Sequence, residues 1–253
     1  NIASIEGKAQ LVEYLEAGCK PPEVYKLGTE HEQFVYRAHD LSPATYEDPD
    51  PGIRMLLESM SRFGWKSIDE NGRRIGLYRG KCTVTLEPGG QIELSGAPLR
   101  DVHQVLEEIR QYHQELNSLA GELDLKLLAL GHQPKHPRTE LPWMPKERYR
   151  IMRAYMPKRG ALGLDMMQST CAIQVTVDFS SEADMVKKFR VSLALQPIVT
   201  ALFANSPFAQ GQFSGFLSYR HAVWGDTDRD RCGHLPFVFE DGMGFERYTD
   251  YVL

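Results

Sequence analysis

The sequence predicts an α+β protein: an antiparallel sheet with one polar face that carries the chemistry and helices on the other. Three observations lead there. Residues 86–98, Leu-Glu-Pro-Gly-Gly-Gln-Ile-Glu-Leu-Ser-Gly-Ala-Pro, put Glu87 and Glu93 on either side of a Pro-Gly-Gly bend and then alternate, with Gln91, Glu93 and Ser95 on one side and Ile92 and Leu94 on the other. Asn71-Gly72 lies between apolar runs at 65–68 and 75–78, a strong hairpin signal, and with a further strand at 82–86 it gathers four or five strands into the first hundred residues. A long helix follows from Pro98 with Val102, Val105, Leu106, Ile109, Leu116 and Leu119 as its apolar stripe, as expected of a helix laid over an antiparallel run.

In chain order, residues 5–17 read as a short amphipathic helix after a possible Ser4 cap, ending at Gly18 and Pro21. Residues 26–37 read as a strand, so Glu30 and Glu32, two apart, point the same way. His31 then projects to the opposite side, as a packing or supporting histidine. Residues 51–63 are a helix with Met55, Leu56, Met60 and Phe63 as core. After the long helix comes a strand at 125–130, then a Pro-rich surface loop at 134–145 beside His132 and His136, with no strong claim on a metal. Residues 146–157 form a basic helix in which Arg148 and Tyr155 are two turns apart; its arginines suit either carboxylate or phosphate binding or a solvated face. Residues 160–167 read as a glycine-bearing loop. Residues 172–179 alternate again, Gln174, Thr176 and Asp178 against Ile173, Val175 and Val177. Ser180-Ser181-Glu182 caps a helix over 183–204 whose core side is Met185, Phe189, Leu193, Ile198 and Leu202, kinked at Pro197. Residues 215–231 crowd Arg220, His221, Trp224, Asp226, Asp228, Arg229 and Arg231 into a segment that reads as a ligand-facing loop.

Composition narrows the partners. The chain has 253 residues, 42% of them hydrophobic and 25% charged, and its net charge of −5 comes with interspersed signs. No basic stripe proposes nucleic acid, and no apolar run approaches a membrane span. The four cysteines, Cys19, Cys82, Cys171 and Cys232, are scattered without CxxC spacing, as reduced thiols in a cytosolic protein would be. No signal or transit sequence is read at the start, so a cytoplasmic or a mature, processed protein is expected.

One strand with a wet face would simply meet solvent. Here the pattern repeats, and Glu30, Glu32, Glu87 and Glu93 occupy similar places on neighbouring strands. Clustered carboxylates repel one another, and a cation normally holds them ionised together. Oxygen ligands select Mg²⁺ or Mn²⁺, and no thiol or histidine cluster argues for zinc. There is no Walker loop, Rossmann fingerprint or Gly-x-Ser-x-Gly elbow. An acidic sheet with arginines at its rim fits a nucleotide triphosphate held through metal, the arginines taking an anionic substrate and the transferring phosphoryl group.

Several stretches together resemble the glutamate-cysteine ligases of plants and proteobacteria: Gly28-Thr29-Glu30-His31-Glu32, residues 86–98, Arg148-Tyr149 through Met156-Pro157, Leu164-Asp165-Met166-Met167, residues 178–185, residues 201–207 and Trp224-x-Asp226-Thr227-Asp228. The similarity runs through essentially the whole chain. It implies a glutamine-synthetase-like sheet and ATP-dependent joining of the L-glutamate γ-carboxylate to the amine of L-cysteine through a γ-glutamyl phosphate, the first step of glutathione synthesis. It further implies that Glu30, Glu32, Glu87 and Glu93 hold metal, that Gln174 contacts metal or nucleotide, that Arg148 and Arg220 hold glutamate and the transferred phosphate, and that Trp224 and Asp226 shape that pocket. Members of the family are longer, so 1–253 is expected to be a single catalytic domain forming the N-terminal part of a longer ligase, with a truncated chain inactive by itself as the alternative. The plant enzymes carry a redox cysteine just after a His-Gln pair, whereas His103-Gln104 is followed here by Val105-Leu106, which favours a bacterial cytoplasm over a plastid. Two alternatives stay open: another carboxylate-amine ligase of this fold, and a fragment that binds without catalysis.

Overall fold

Alternation along five segments gives the strands that organise the first hundred residues. The computed structural model describes residues 4–47 and 51–253. Strand β1 (Leu27–Arg37) is the longest and lies at the centre of an antiparallel sheet with β2 (Lys66–Glu70), β3 (Arg73–Arg79), β4 (Cys82–Leu86) and β5 (Ile92–Ser95), in the order β2-β3-β4-β5-β1. Its other edge is shared: β6 (Leu125–Leu128) pairs with residues 34–37 and β7 (Ile173–Val177) with residues 27–31. The predicted hairpin is there, with Asn71 at φ 51° and Gly72 at φ 75°, both in the left-handed region that a two-residue turn of this hand demands.

The core lies on one side of this sheet. Leu77, Val84, Leu86, Ile92 and Leu94 meet Ile53, Leu56, Leu57 and Met60 from helix α2 (Ile53–Ser59) and the 3₁₀ turn Met60–Phe63 that continues it, together with Tyr112, Leu116 and Leu119 from α3 (Val102–Glu122). Asp101 caps α3 by accepting from the backbone N–H groups of His103 and Gln104. Two expected stripes are partly displaced. Met55 and Phe63 are exposed while Ile53 and Leu57 are buried, because the helix tightens after Ser59 and its stripe turns. On α3, burial begins only at Val105, and Val102 and Leu106 stay exposed. A carboxylate sits inside that stripe: Glu115 accepts from Trp65 Nε1, Arg79 Nη1 and Gln111 Nε2, which satisfies it in the core.

Elsewhere the structure corrects the sequence reading in several places. Ser4 does not cap the first helix, α1 (Lys8–Glu16), which starts after Gly7 without a side-chain cap. The Pro-rich segment is no simple surface loop, since Gln133, Leu141 and Met144 are buried. Of residues 160–167, read as a loop, only 160–162 lie outside a helix; α5 (Gly163–Ser169) takes the rest, following α4 (Glu147–Tyr155). The segment 215–231 contains α7 (Tyr219–Gly225). Helix α6 (Glu182–Leu202), capped by Ser181 Oγ, is present as read, with Pro197 inside it. Its Met185, Phe189 and Leu193 pack on Val186, Phe237, Val238 and Met243, but Ile198 and Leu202, expected in the core, are exposed. On β7 the apolar side of Ile173, Val175 and Val177 is exposed as well, so helices cover only part of the sheet's second face. The four cysteines are free, as their spacing predicts.

Candidate active site

Register places the acids. In antiparallel pairs, residues directly opposite share a side of the sheet, and here Glu32 pairs with Glu93, which pairs in turn with Thr85, while Glu30 pairs with Ser95 on one edge and Gln174 on the other. Glu30, Glu32 and Glu93 therefore project from one face, the side away from the core. Glu87 follows β4 in the bend to β5, where its N–H donates to the Gln91 carbonyl (2.8 Å) and its own carbonyl accepts from Gly90 N–H (3.0 Å). The glycines there are required: Gly90 sits at φ 88°, and a Cβ on Gly89 would come within 2.2 Å of the Gln168 carbonyl oxygen. Gln91 departs from the expected wet face. It is buried, with Oε1 accepting from Gly89 N–H and Nε2 donating to the carbonyls of Met167 and Thr170, so it fixes the bend rather than facing a ligand.

The carboxylates sense one another. Burial and then the charges of Glu93 and Glu87 push Glu32 up to about 8, even though Ala172 N–H donates to its Oε2 at 2.8 Å. Burial, followed by the Glu93 charge, raises both Glu30 and Glu87. Opposing charges stand at the two ends of this trough. Arg220, on α7, faces Glu32; Arg148 and Lys146, on and just before α4, face Glu87. Tyr149 links the second group to the sheet, its hydroxyl donating to the Leu86 carbonyl (2.6 Å) and reaching Glu87 Oε1 (3.3 Å). At the first end Arg220 is half-buried with its guanidinium 5.6 Å from the Trp224 ring, and burial holds its pKa down. Arg220 Nε and Trp224 Nε1 are buried donors with no partner among the described residues, which suits an incoming anion.

The sequence-derived site residues thus divide. Glu30, Glu32, Glu87 and Glu93 come together, flanked by Arg148 and Arg220, and Trp224 lies with Arg220. Gln174 stands beside Glu30 but on the exposed strand β7. Asp226 ends α7, and its backbone carbonyl accepts from Leu162 N–H, holding the segment before α5. His31 takes the opposite side, among the charges of His113 and Glu108. Lys146 and Tyr149 were legible only as part of a basic helix; that one would lie along the trough and the other end on Glu87 depends on where α4 docks.

An oxygen-only, mutually repelling donor set has the chemistry of a hard divalent cation. Among the described residues no three His, Cys, Asp or Glu side chains stand in a ready-made ligand set. Mg²⁺ typically takes one or two carboxylates and keeps several waters, so these oxygens have the donor type for such an ion without forming a complete ligand set by themselves.

The geometry defines an α+β protein whose sheet carries a carboxylate trough with cationic ends. Residues 26–253 match the family model described as glutamate-cysteine ligase family 2, GCS2, and the chain belongs to that family. It is 52% identical over 247 residues to the chloroplastic glutamate-cysteine ligases of Brassica juncea and Arabidopsis thaliana, and 51% identical to glutamate-cysteine ligase A, chloroplastic, of Oryza sativa subsp. japonica. Each alignment takes in 97% of this chain but 47–49% of the relative, so the chain spans about half the length of the curated relatives it matches.

Proposed function

We propose that this chain supplies the acidic sheet of a glutamate-cysteine ligase that joins the γ-carboxylate of L-glutamate to the amine of L-cysteine at the expense of ATP. The observation that carries this reading is the convergence of Glu30, Glu32, Glu87 and Glu93 on one face with a guanidinium at each end. In the first step a γ-carboxylate oxygen forms a bond to the γ-phosphorus as the bond to ADP breaks. In the second, the cysteine nitrogen attacks the acyl carbon, phosphate leaves, and the ammonium loses its proton. Arg220 and Arg148 bind the glutamate carboxylates and the transferring phosphoryl group, restricting them to the geometry of attack. Trp224 walls the pocket beside Arg220. Glu30, Glu32, Glu87 and Glu93 would hold Mg²⁺ or Mn²⁺, with Gln174 beside Glu30 as an outer contact; bound metal supplies neutralisation of triphosphate charge.

The test is calorimetry of Mg²⁺ and ATP binding together with phosphate release in the presence of glutamate and cysteine. Glu87→Gln, which keeps the volume and removes the charge, is expected to weaken Mg²⁺-dependent ATP binding about tenfold or more, by analogy with the loss of one charge-assisted contact. Unchanged binding would refute the trough as a metal site, and equal rates with alanine in place of cysteine would assign another amine as acceptor. A second reading, binding without turnover, draws on the chain's spanning about half of its relatives' length; ATP binding without phosphate release distinguishes it.

No nucleic-acid or membrane partner is proposed, and among the described residues no helix is long and apolar enough to cross a membrane. As to compartment, the relatives named chloroplastic support the plastid alternative over the bacterial cytoplasm. Imaging of a fluorescently tagged full-length protein in its own cells tests this, and a cytosolic signal would reverse it.

A further inference from the structure

Helix α3 turns two carboxylates toward the sheet, Glu108 and Glu115, and they are used differently. Glu115 is closed off: Trp65, Arg79 and Gln111 take its oxygens, and none of them lies on a strand that carries a trough acid. Glu108 reaches the strands themselves. Its Oε1 accepts from Ala97 N–H (3.0 Å), just past β5, and from the Cys82 thiol (3.0 Å) at the start of β4. Burial, followed by that carboxylate, pushes the thiol up to about 11, so it stays a donor. Glu108 Oε2 lies against Gly96, where a Cβ would come within 2.3 Å of it, and it has no partner among the described residues.

Ala97 needs this acceptor. The N–H groups of Gly96 and Leu99 donate to the Thr29 and Leu27 carbonyls of β1 at 2.8 and 2.9 Å, Pro98 has none, and that of Ala97 goes to Glu108. The bond therefore fixes where β5 leaves the sheet. Two residues before Ala97, Ser95 pairs with Glu30 and donates from Oγ to Glu93 Oε1 at 3.0 Å on the trough face. Glu93 is also the carboxylate whose charge acts on Glu30, Glu32 and Glu87 alike. We propose that Glu108 is a positioning residue for the trough: from behind the sheet it holds the end of β5, and through Ser95 it sets where the Glu93 carboxylate stands among the other three. This rests on the reading of the trough as a divalent-metal site. In this role Glu108 meets neither substrate nor metal. It acts through Ala97, Ser95 and Glu93, as the outer partners of metal ligands do.

Calorimetric titration of Mn²⁺ into the full-length protein with a nonhydrolysable ATP analogue, alongside urea unfolding, tests the assignment. Glu108→Ala is expected to weaken Mn²⁺ binding about tenfold, and Glu108→Gln, which keeps an acceptor for Ala97 N–H, to stay within about twofold of the wild type. Glu115→Gln is the structural control: it should lower the unfolding midpoint and leave Mn²⁺ affinity unchanged. If Glu108→Ala behaves like that control, Glu108 only supports the fold; the positioning role is overturned and the trough reading stands. A wild type that binds no Mn²⁺ under these conditions overturns both. Should Glu108→Ala not fold, Ser95→Ala cuts the last link of the same relay, and an unchanged Mn²⁺ affinity there overturns the proposal as well.

Discussion

Leu94 on β5 and Val175 on β7 point to the same side of one sheet, yet Leu94 is 1% exposed and Val175 63%. Both belong to alternating strands and both are apolar. The difference is what lies over them. Helices α2 and α3 close the region behind β3, β4 and β5, whereas behind β7 no described element completes a core, and α6, which follows it, buries only Val186 of its 21 residues. Hydrophobic alternation marks the side on which burial is possible; a second layer at the right place is what turns it into stability. The acid trough spans this boundary. Glu87 and Glu93 stand over the closed region, and Glu30 faces Gln174 on the open one.

Matched truncations in the two regions should diverge most. Leu94→Ala is expected to cost about 2–5 kcal/mol by removing a buried side chain and leaving a cavity, and Val175→Ala about 0.5 kcal/mol or less, both read by urea denaturation. Similar losses would mean that β7 is covered in solution. Next in size is pH dependence from the trough. The folded pKa of Glu32, about 8, lies above its unfolded value, so the stabilisation is full below the unfolded pKa of 4.5 and is lost as pH rises through 8. Without divalent cations the unfolding midpoint should fall between pH 5 and pH 9, by about 1–3 kcal/mol in stability, and Glu32→Gln should flatten the slope. An unchanged slope would mean that Glu32 does not titrate in the trough.

A smaller effect compares the two helix caps. Asp101→Ala removes an acceptor from α3 and Ser181→Ala one from α6, each worth about 1 kcal/mol locally. The first should appear in global stability. The second should appear as faster hydrogen exchange along α6 with less change in the unfolding midpoint, because α6 packs only through its first half, on a small cluster apart from the main core, and its second half is exposed. Equal global losses would show that α6 belongs to the cooperative unit.

By itself the sequence determined the strands, the Asn71-Gly72 turn, the two long helices with the serine cap of the second, and the shared side of Glu30 and Glu32, because each depends on neighbours only a few positions away. It also held the acid pairs and the two arginines whose meeting defines the candidate site. Only the tertiary structure decided that Gln91 turns inward to hold the Pro-Gly-Gly bend, that residues 163–169 coil under the site, that Asp226 contributes a backbone carbonyl and that Lys146 and Tyr149 reach the trough. Each of these is set by which surface a segment meets. A local period fixes a direction for a side chain, but the partner waiting there is brought by parts of the chain dozens of residues away.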